Sequence, residues 1–102
     1  MLKLIVFVPE SNAGDLKSAL WGAGLGRQGD YRNCAFTVRG TGEFMPTGDA
    51  NPHLGQPHQQ ESVEELRIEM LCPDSLRGEA ESIVRAVHPY EEPAYEFYAI
   101  ID

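Results

Sequence analysis

An apolar run at Leu2–Val8 constrains the fold more than any other segment of the sequence. Its branched aliphatic side chains and Phe7 fall on both faces of an extended chain, and Lys3 is its one charged member. A strand that is apolar on both faces usually lies inside a sheet rather than at its edge. Pro9 follows and ends the strand, because proline has no amide hydrogen for the ladder. The run therefore predicts a central strand.

A helix is expected directly after this strand, with Ser11 or Asn12 as its cap. The apolar positions then recur at helical spacing, at Leu16, Ala19, Leu20 and Ala23. The string that follows, Gly24–Gly29, has the spacing G-x-G-x-x-G. In the dinucleotide-binding motif such glycines follow a strand and open a helix, whereas here they close a helix. We therefore predict a helix end and a loop, and no nucleotide site.

Two further strands are predicted on either side of a long loop. Cys34–Arg39 alternates in the manner of a strand, and Glu43–Pro46 is expected to form a short extra strand. Val63–Cys72 alternates most clearly and predicts a strand with one buried face. The Gly- and Pro-rich segment from about 41 to 62 separates them, and its part at 47–60 has no period. Loops of this length in a compact domain are commonly functional or mobile.

The remaining sequence predicts a second helix and a last strand. Pro73 breaks the preceding strand, and Asp74 or Ser75 is the expected helix cap. The apolar positions of the helix are Leu76, Ala80, Ile83, Val84 and Val87, and those of the last strand are Tyr95, Phe97, Ala99 and Ile101. Pro89 requires the helix to end by about Val87.

The element order is therefore β-α-β-β-α-β. It predicts an α+β, ferredoxin-like sandwich, in which two helices cover one face of an antiparallel sheet of order 4-1-3-2. A chain of 102 residues has room for a single domain, expected at 1–102.

The charge balance excludes several classes of partner. The net charge is −8 and the isoelectric point is near 4.7. Binding to duplex nucleic acid needs a basic footprint, and binding to anionic lipid needs the same sign of charge. The apolar run at Leu2–Val8 is too short to cross a bilayer and lacks the features of a signal peptide. We therefore expect no nucleic-acid or membrane partner, a cytoplasmic location, and reduced thiols at Cys34 and Cys72.

The segment His88–Ala94 carries the densest group of functional side chains in the sequence. The predicted topology places it at the end of the sheet from which the long loop springs, so all three histidines belong to one edge. The candidate ligand-binding residues at this edge are His88, Tyr90, Glu91, Glu92, Glu61 and Glu10. The candidate ligands for a divalent metal ion are His88, His53, His58 and Glu91, because imidazole and carboxylate together suit such ions.

A structural interpretation of the same segment stands beside the functional one. Pro89 and Pro93 can fix a turn, Tyr90 can pack, and His88 can cap the preceding helix at its carboxyl end. Catalysis would require an activated nucleophile beside a base, and no such arrangement emerges from the sequence. We therefore assign no catalytic residue and expect a binding function rather than an enzyme.

Four ordered motifs resemble a known family and together cover nearly the whole chain. They are Gly24–Phe36, Gly40–Pro46, Ala50–Gly55 with Glu61–Glu65, and His88–Tyr95. They resemble the inserted domain of the YqfO branch of the Nif-three (Ngg-one interacting factor three) family. That inserted domain is similar in fold to CutA and PII proteins, which are typically trimers. CutA is linked to divalent-metal tolerance, and PII binds small effectors at subunit edges.

The resemblance also limits what is expected of this chain. Full-length family members carry a two-metal site in the halves that flank the insert, and some are GTP cyclohydrolase homologues. This chain matches the insert alone and is predicted to be a free-standing version of it, so the two-metal site does not carry over.

The expected function is accordingly a binding or regulatory module that takes a divalent metal ion, a small effector or a protein partner. A homo-oligomer is expected, with a trimer favoured over a dimer. The alternatives are an accessory part of a metal-dependent hydrolase and a purely structural oligomerisation domain.

Overall fold

The computed structural model describes residues 1–101, so Asp102, the last residue of the predicted domain, lies outside the described part. The strands are β1 (Leu2–Pro9), β2 (Phe36–Phe44), β3 (Glu61–Cys72) and β4 (Tyr95–Ala99). The helices are α1 (Glu10–Ala23) and α2 (Arg77–Val87), and a 3-10 turn at Asp74–Leu76 precedes α2. The predicted order of strands and helices is confirmed. No helix within residues 1–101 is long and apolar enough to span a bilayer.

The four strands form one antiparallel sheet in the order β2-β3-β1-β4, which is the predicted order. Strand β1 is central, because Val6 lies opposite Ile68 of β3 on one side and Tyr95 of β4 on the other. Its alternate side chains pack with the two helices in the core, whose largest fully buried members are Leu4, Val6, Val8, Leu16, Leu20, Leu25, Ile68, Cys72 and Val84. The helices thus cover one face of the sheet. We call the other face the open face.

Strand β2 differs from the prediction in length and start. It was expected at Cys34–Arg39, with a separate short strand at Glu43–Pro46, but it runs without a break from Phe36 to Phe44. The glycines at 40 and 42 do not interrupt it, because Gly40 and Gly42 pair with Glu65 and Val63 of β3. The partner strand is twelve residues long and supplies hydrogen bonds along the whole of β2. The loop between them is correspondingly shorter than predicted and spans residues 45–60.

The predicted helix caps are wrong. Helix α1 begins at Glu10, directly after Pro9, so Ser11 and Asn12 lie inside its first turn and hydrogen-bond to each other. Helix α2 begins only after the 3-10 turn, which places Asp74 and Ser75 before it. The Asp74 carboxylate instead pairs with the amino terminus at 2.7 Å. The predicted apolar position Ile101 follows β4 and is 97% exposed.

The glycine string after α1 makes a helix end of the Schellman type. Gly24 adopts a left-handed conformation, its amide donates to the Trp21 carbonyl, and the amide of buried Leu25 donates to the Leu20 carbonyl. Gly26 then donates to the Leu71 carbonyl of β3 and accepts from the Cys34 amide, at 2.8 Å each. The string therefore anchors the chain to the sheet between α1 and β2.

Candidate functional site

The segment His88–Ala94 is fastened to the sheet at a single residue of β1. The Phe7 amide donates to the Ala94 carbonyl at 3.0 Å, and the Phe7 carbonyl accepts from the His88 ring at 2.7 Å. Helix α2 ends at Val87 because Pro89 disfavours a helical conformation at the residue before it. His88 accordingly has extended backbone angles, and its side chain turns back toward β1. The segment thus curves around Phe7 and presents Tyr90 beside the sheet.

His88 is the one buried polar or charged side chain among residues 1–101, with 5% of its surface exposed. Its Nδ1 accepts a hydrogen bond from the Tyr90 amide at 3.2 Å, so Nε2 must carry the proton that it donates to the Phe7 carbonyl. Burial lowers the pKa of His88, against the opposing effects of the Phe7 carbonyl and the Glu65 carboxylate. The ring is therefore neutral, and both of its nitrogens are engaged.

Aromatic rings gather around Tyr90. Its ring centroid lies 4.9 Å from that of His88, 6.1 Å from that of Phe44 and 6.3 Å from that of His53. These tilted contacts join the end of α2, the end of β2 and the long loop, so Tyr90 is the point where the three meet. The loop is tethered to the same segment, because the Asn51 amide donates to Glu91 Oε1 at 3.3 Å.

A cavity of about 310 Å³ lies between this aromatic group and the long loop. Its walls are formed by Phe7, Gly42, Glu43, Phe44, Pro46, Ala50, Pro52, His53, Leu54, Glu65, Tyr90, Glu91, Glu92 and Ala94. The lining is largely apolar and aromatic, with a few carboxylates. A concave site of this size and composition is typical of small-ligand binding.

Glu65 and Tyr90 are half-buried, whereas the other charged and polar side chains that line this cavity, Glu43, His53, Glu91 and Glu92, are exposed. The Glu65 carboxylate lies over Gly42, where a side chain at position 42 would collide with it: an ideally placed Cβ falls 2.6 Å from Glu65 Cδ. The buried Tyr90 hydroxyl has no hydrogen-bond partner among the residues that the structure describes. Burial, assisted by the nearby Glu65 carboxylate, raises the pKa of Tyr90 to about 12, so the phenol is protonated at neutral pH.

The structure brings four of the six candidate ligand-binding residues to one place. Tyr90, Glu91 and Glu92 line the cavity, and His88 contacts it indirectly by accepting a hydrogen bond from the Tyr90 amide. Glu61 instead lies against Gly55 at the base of the loop.

Glu10 does not line the cavity. Its carboxylate forms a bidentate ion pair with Arg39, in which Nη1 donates to Oε2 at 2.6 Å and Nη2 donates to Oε1 at 2.7 Å. Both groups of this pair are exposed. The hydrogen bond and the charge of Arg39 lower the pKa of the Glu10 carboxyl.

The candidate metal ligands do not fit a metal centre in this arrangement. His88 has no free lone pair, because Nδ1 accepts from the Tyr90 amide and Nε2 carries a hydrogen. His58 lies beside Gly48 on the loop and does not line the cavity, whereas His53 and Glu91 do. Within residues 1–101 no group of three or more His, Cys, Asp or Glu side chains is placed to hold a metal ion.

Ten of the fourteen cavity residues were not identified from the sequence, among them Glu65, Phe7, Phe44 and Gly42. The alternation of Val63–Cys72 places Glu65 on the face opposite its buried one, and Phe7 belongs to the apolar run of the first strand. A signal was present in the alternation of the strands, which places Phe7 and Glu65 on the same face. Gly42 leaves room for the Glu65 carboxylate on that face, because a Cβ at position 42 would collide with it, whereas a Cβ at Gly40 would meet nothing within 4 Å.

Comparisons with known proteins agree with this fold. No protein-family model matches the chain. A "GTP cyclohydrolase 1 type 2 homolog" of Mycobacterium tuberculosis is 38% identical over 99 residues, which is 97% of this chain and 26% of that protein. The structure of a Bacillus cereus protein related to NIF3 superposes with a TM-score of 0.84 at 39% identity, over 99% of this chain and 26% of that one. CutA1 of Pyrococcus horikoshii gives a TM-score of 0.74 at 16% identity, over 100% of this chain and 85% of that one.

The chain is an α+β domain with the ferredoxin-like fold of CutA. At 16% identity, the similarity to CutA1 shows a shared fold and nothing more. More closely, the chain is homologous to one segment of the Nif-three-related proteins, as its four motifs predicted. The chain spans about a quarter of the length of the curated relatives it matches.

Proposed function

We propose that this chain is a non-catalytic binding module that holds a small effector in the cavity beside Tyr90. The observation that carries the proposal is the buried hydroxyl of Tyr90, a residue that lines a largely apolar cavity of about 310 Å³; this hydroxyl has no hydrogen-bond partner among residues 1–101. A buried hydroxyl left unpaired costs about 1–3 kcal/mol, and a ligand atom would satisfy it. Buried polar groups nearly always have a partner, so this hydroxyl calls for one, and a bound ligand would supply it.

A small molecule suits the site better than a divalent metal ion. His88, the central metal candidate, holds the segment in place through both ring nitrogens and has no lone pair to offer. A metal ion would have to displace one of these bonds. Titration with zinc or copper alone tests that alternative, with His88→Ala as the comparison. Stoichiometric binding that the variant loses would favour the metal over the effector.

The effector proposal is tested by filling the cavity. Ala94 lines it and is exposed, so Ala94→Phe places a ring in the cavity without disturbing the core. Ala86→Phe adds the same ring at an exposed site on α2 and serves as the control. Ligand-observed NMR of a metabolite library should give hits with the unsubstituted chain and the control that Ala94→Phe weakens at least tenfold. Hits that bind all three proteins equally, or the absence of hits, would count against the cavity.

A second function is favoured by the lengths of the relatives. The chain matches 26% and 27% of proteins named as GTP cyclohydrolase homologues, so domains like this one occur within larger proteins. In the accessory-domain alternative, the chain would associate with a protein carrying the remaining parts of such a homologue. Co-elution of the two purified proteins would support it, and separate elution at micromolar concentration would exclude a stable complex.

We also propose a homo-oligomer, with a trimer favoured over a dimer. What supports it is the open face of the sheet, where Phe36, Val38 and Tyr98 are 64%, 45% and 50% exposed. Exposed apolar side chains that share one face are typical of protein contacts.

A further inference from the structure

We propose that the effector is an organic amine, bound as a primary ammonium ion with its hydrocarbon body against the loop. This inference rests on the proposed function, since it names the chemical class that the cavity beside Tyr90 would select. It follows from three properties of the lining: the sign of its charge, its aromatic rings, and the oxygen acceptors of Glu65 and Tyr90.

The charge of the cavity favours a cation. Glu43, Glu65, Glu91 and Glu92 line it, and no lysine or arginine of the described chain does. Of these carboxylates, Glu65 is half-buried and is held over Gly42 at the sheet. A carboxylate in a partly apolar environment attracts a cation more strongly than one in water, because the local dielectric constant is lower. The same carboxylates repel an anionic ligand such as a phosphate or a carboxylic acid.

The rings favour a cation that also carries hydrogens. Phe44, Tyr90 and His53 line the cavity, and the faces of aromatic rings attract ammonium groups. The Phe7 ring lines it too, but the Arg67 guanidinium already lies 5.8 Å from the centroid of that ring. The Tyr90 hydroxyl oxygen can accept a hydrogen bond, and so can the Glu65 carboxylate beside it. A primary ammonium has three N–H donors and can satisfy both acceptors at once. A bare metal ion would gain little from the rings.

The remaining wall sets the shape of the ligand. Pro46, Pro52 and Leu54 of the loop line the cavity, and their side chains are apolar. A ligand that fills the site therefore has a charged end at Glu65 and Tyr90 and a hydrocarbon end at the loop. Simple alkylamines and arylalkylamines have this form.

Three probes of similar shape and different charge test the proposal: phenethylamine, the neutral phenylpropanol and the anionic phenylpropionate. At about pH 7 the amine is almost fully protonated, because alkylammonium groups titrate near 10. Nitrogen–proton correlation spectra of the labelled chain are recorded during titration with each probe. We expect phenethylamine to shift the amide signals around Tyr90 and Glu65 in a saturable manner, at least tenfold more tightly than either other probe.

Two variants and a control assign the binding groups. Glu65→Gln keeps the size of the side chain and removes its charge, and should weaken amine binding at least tenfold. Tyr90→Phe removes only the hydroxyl, which has no partner among residues 1–101, so the fold should persist while binding weakens at least threefold. Glu79→Gln removes an exposed carboxylate on α2, outside the cavity, and should leave binding unchanged.

The outcomes separate this inference from the proposed function. Saturable shifts in the cavity with phenylpropanol or phenylpropionate, and none with phenethylamine, would overturn the amine and retain an effector site. A cavity that responds to no probe, with Ala94→Phe indistinguishable from the unsubstituted chain, would overturn both. Amine binding that Glu79→Gln weakens as much as Glu65→Gln does would show attraction to the net charge of the chain and would also overturn the inference.

Discussion

At the residue scale, His88 links the end of a helix to the middle of the sheet. Its Nε2 donates to the Phe7 carbonyl and its Nδ1 accepts from the Tyr90 amide, and the second bond requires the neutral imidazole. A proton on Nδ1 would face the Tyr90 amide hydrogen and abolish the second bond. Burial lowers the pKa of His88 for the same reason that burial of any charge is unfavourable. The conformation of Tyr90, and with it one wall of the cavity, therefore depends on an uncharged His88.

Replacing His88 should destabilise the fold in a pH-dependent way. Above about pH 6.5, the ordinary pKa of histidine, His88→Ala should lose about 2–3 kcal/mol of unfolding free energy, because the Phe7 carbonyl and the Tyr90 amide lose their partner. As the pH falls through that value the unfolded chain binds a proton that the folded chain does not. The contribution of His88 to stability is thus present at higher pH and is lost on acidification.

The measurement is urea unfolding of both proteins at several pH values between about 5 and 8. The difference in unfolding free energy should narrow as the pH falls below about 6.5. His58→Asn is the matched control, because His58 is exposed and has a positive φ that asparagine tolerates. A difference that grows on acidification would contradict a buried neutral His88.

The sequence could nominate His88 and Tyr90 but could not show how they are used. Their functional groups and the flanking prolines drew attention to the segment, and the topology placed it at the correct end of the sheet. The engagement of both His88 nitrogens depends on the position of the Phe7 carbonyl, which is set by long-range packing. For the same reason, Glu65 could be assigned to a face of its strand but not to a cavity that the loop closes.

At the element scale, the strands were predictable wherever the hydrophobic period was strong. β1 is continuously apolar and β3 alternates, and the two strands pair with each other as predicted. β2 was predicted to end at Arg39, where the alternation stops. Glycine is a weak strand former, yet pairing with the long β3 extends β2 through Gly40 and Gly42 to Phe44. Helix starts were wrong for a related reason: Ser11, Asn12 and Asp74 are good caps in isolation, but Pro9 and the 3-10 turn determine where each helix begins.

The glycine string gives a prediction at this scale. Gly26 has φ of 73°, and a Cβ there would lie 2.5 Å from the Cys34 carbonyl oxygen and 2.8 Å from Trp21. Gly26→Ala should therefore lower the unfolding free energy by about 3 kcal/mol, from left-handed strain and a collision with backbone. Gly29→Ala separates the two causes, because φ is 57° and nothing lies within 4 Å of the added carbon.

Gly29→Ala should cost about 1 kcal/mol, which is the strain alone. Thermal and urea unfolding of the two variants measure the difference. Equal losses would mean that the packing of Gly26 against Trp21 and Cys34 does not matter. In that case the string would owe its glycines to backbone conformation only.

At the scale of the whole molecule, the two faces of the sheet are unequal. The helices bury Leu4, Val6 and Val8 of β1, whereas no described element covers Phe36 and Val38 on the open face. The cavity adjoins that face: a groove of about 410 Å³ shares Phe7 and Glu65 with it. Sheets are generally covered on their apolar surfaces by a second layer. In our proposal, other copies of the chain supply that layer and border the effector site.

The oligomer is tested by placing a charge on the open face. The mass in solution should be that of three 11.3 kDa chains. Val38→Glu should shift the protein toward monomer, because assembly would bury the new carboxylate. The fold should survive, because position 38 lies opposite Arg67, with which glutamate can form an ion pair. Ala86→Glu, exposed on α2, is the control and should leave the mass unchanged. Light scattering after size exclusion measures the molar mass of all three proteins. If the unsubstituted chain is monomeric at high micromolar concentration, the proposal that other copies of the chain border the effector site is wrong.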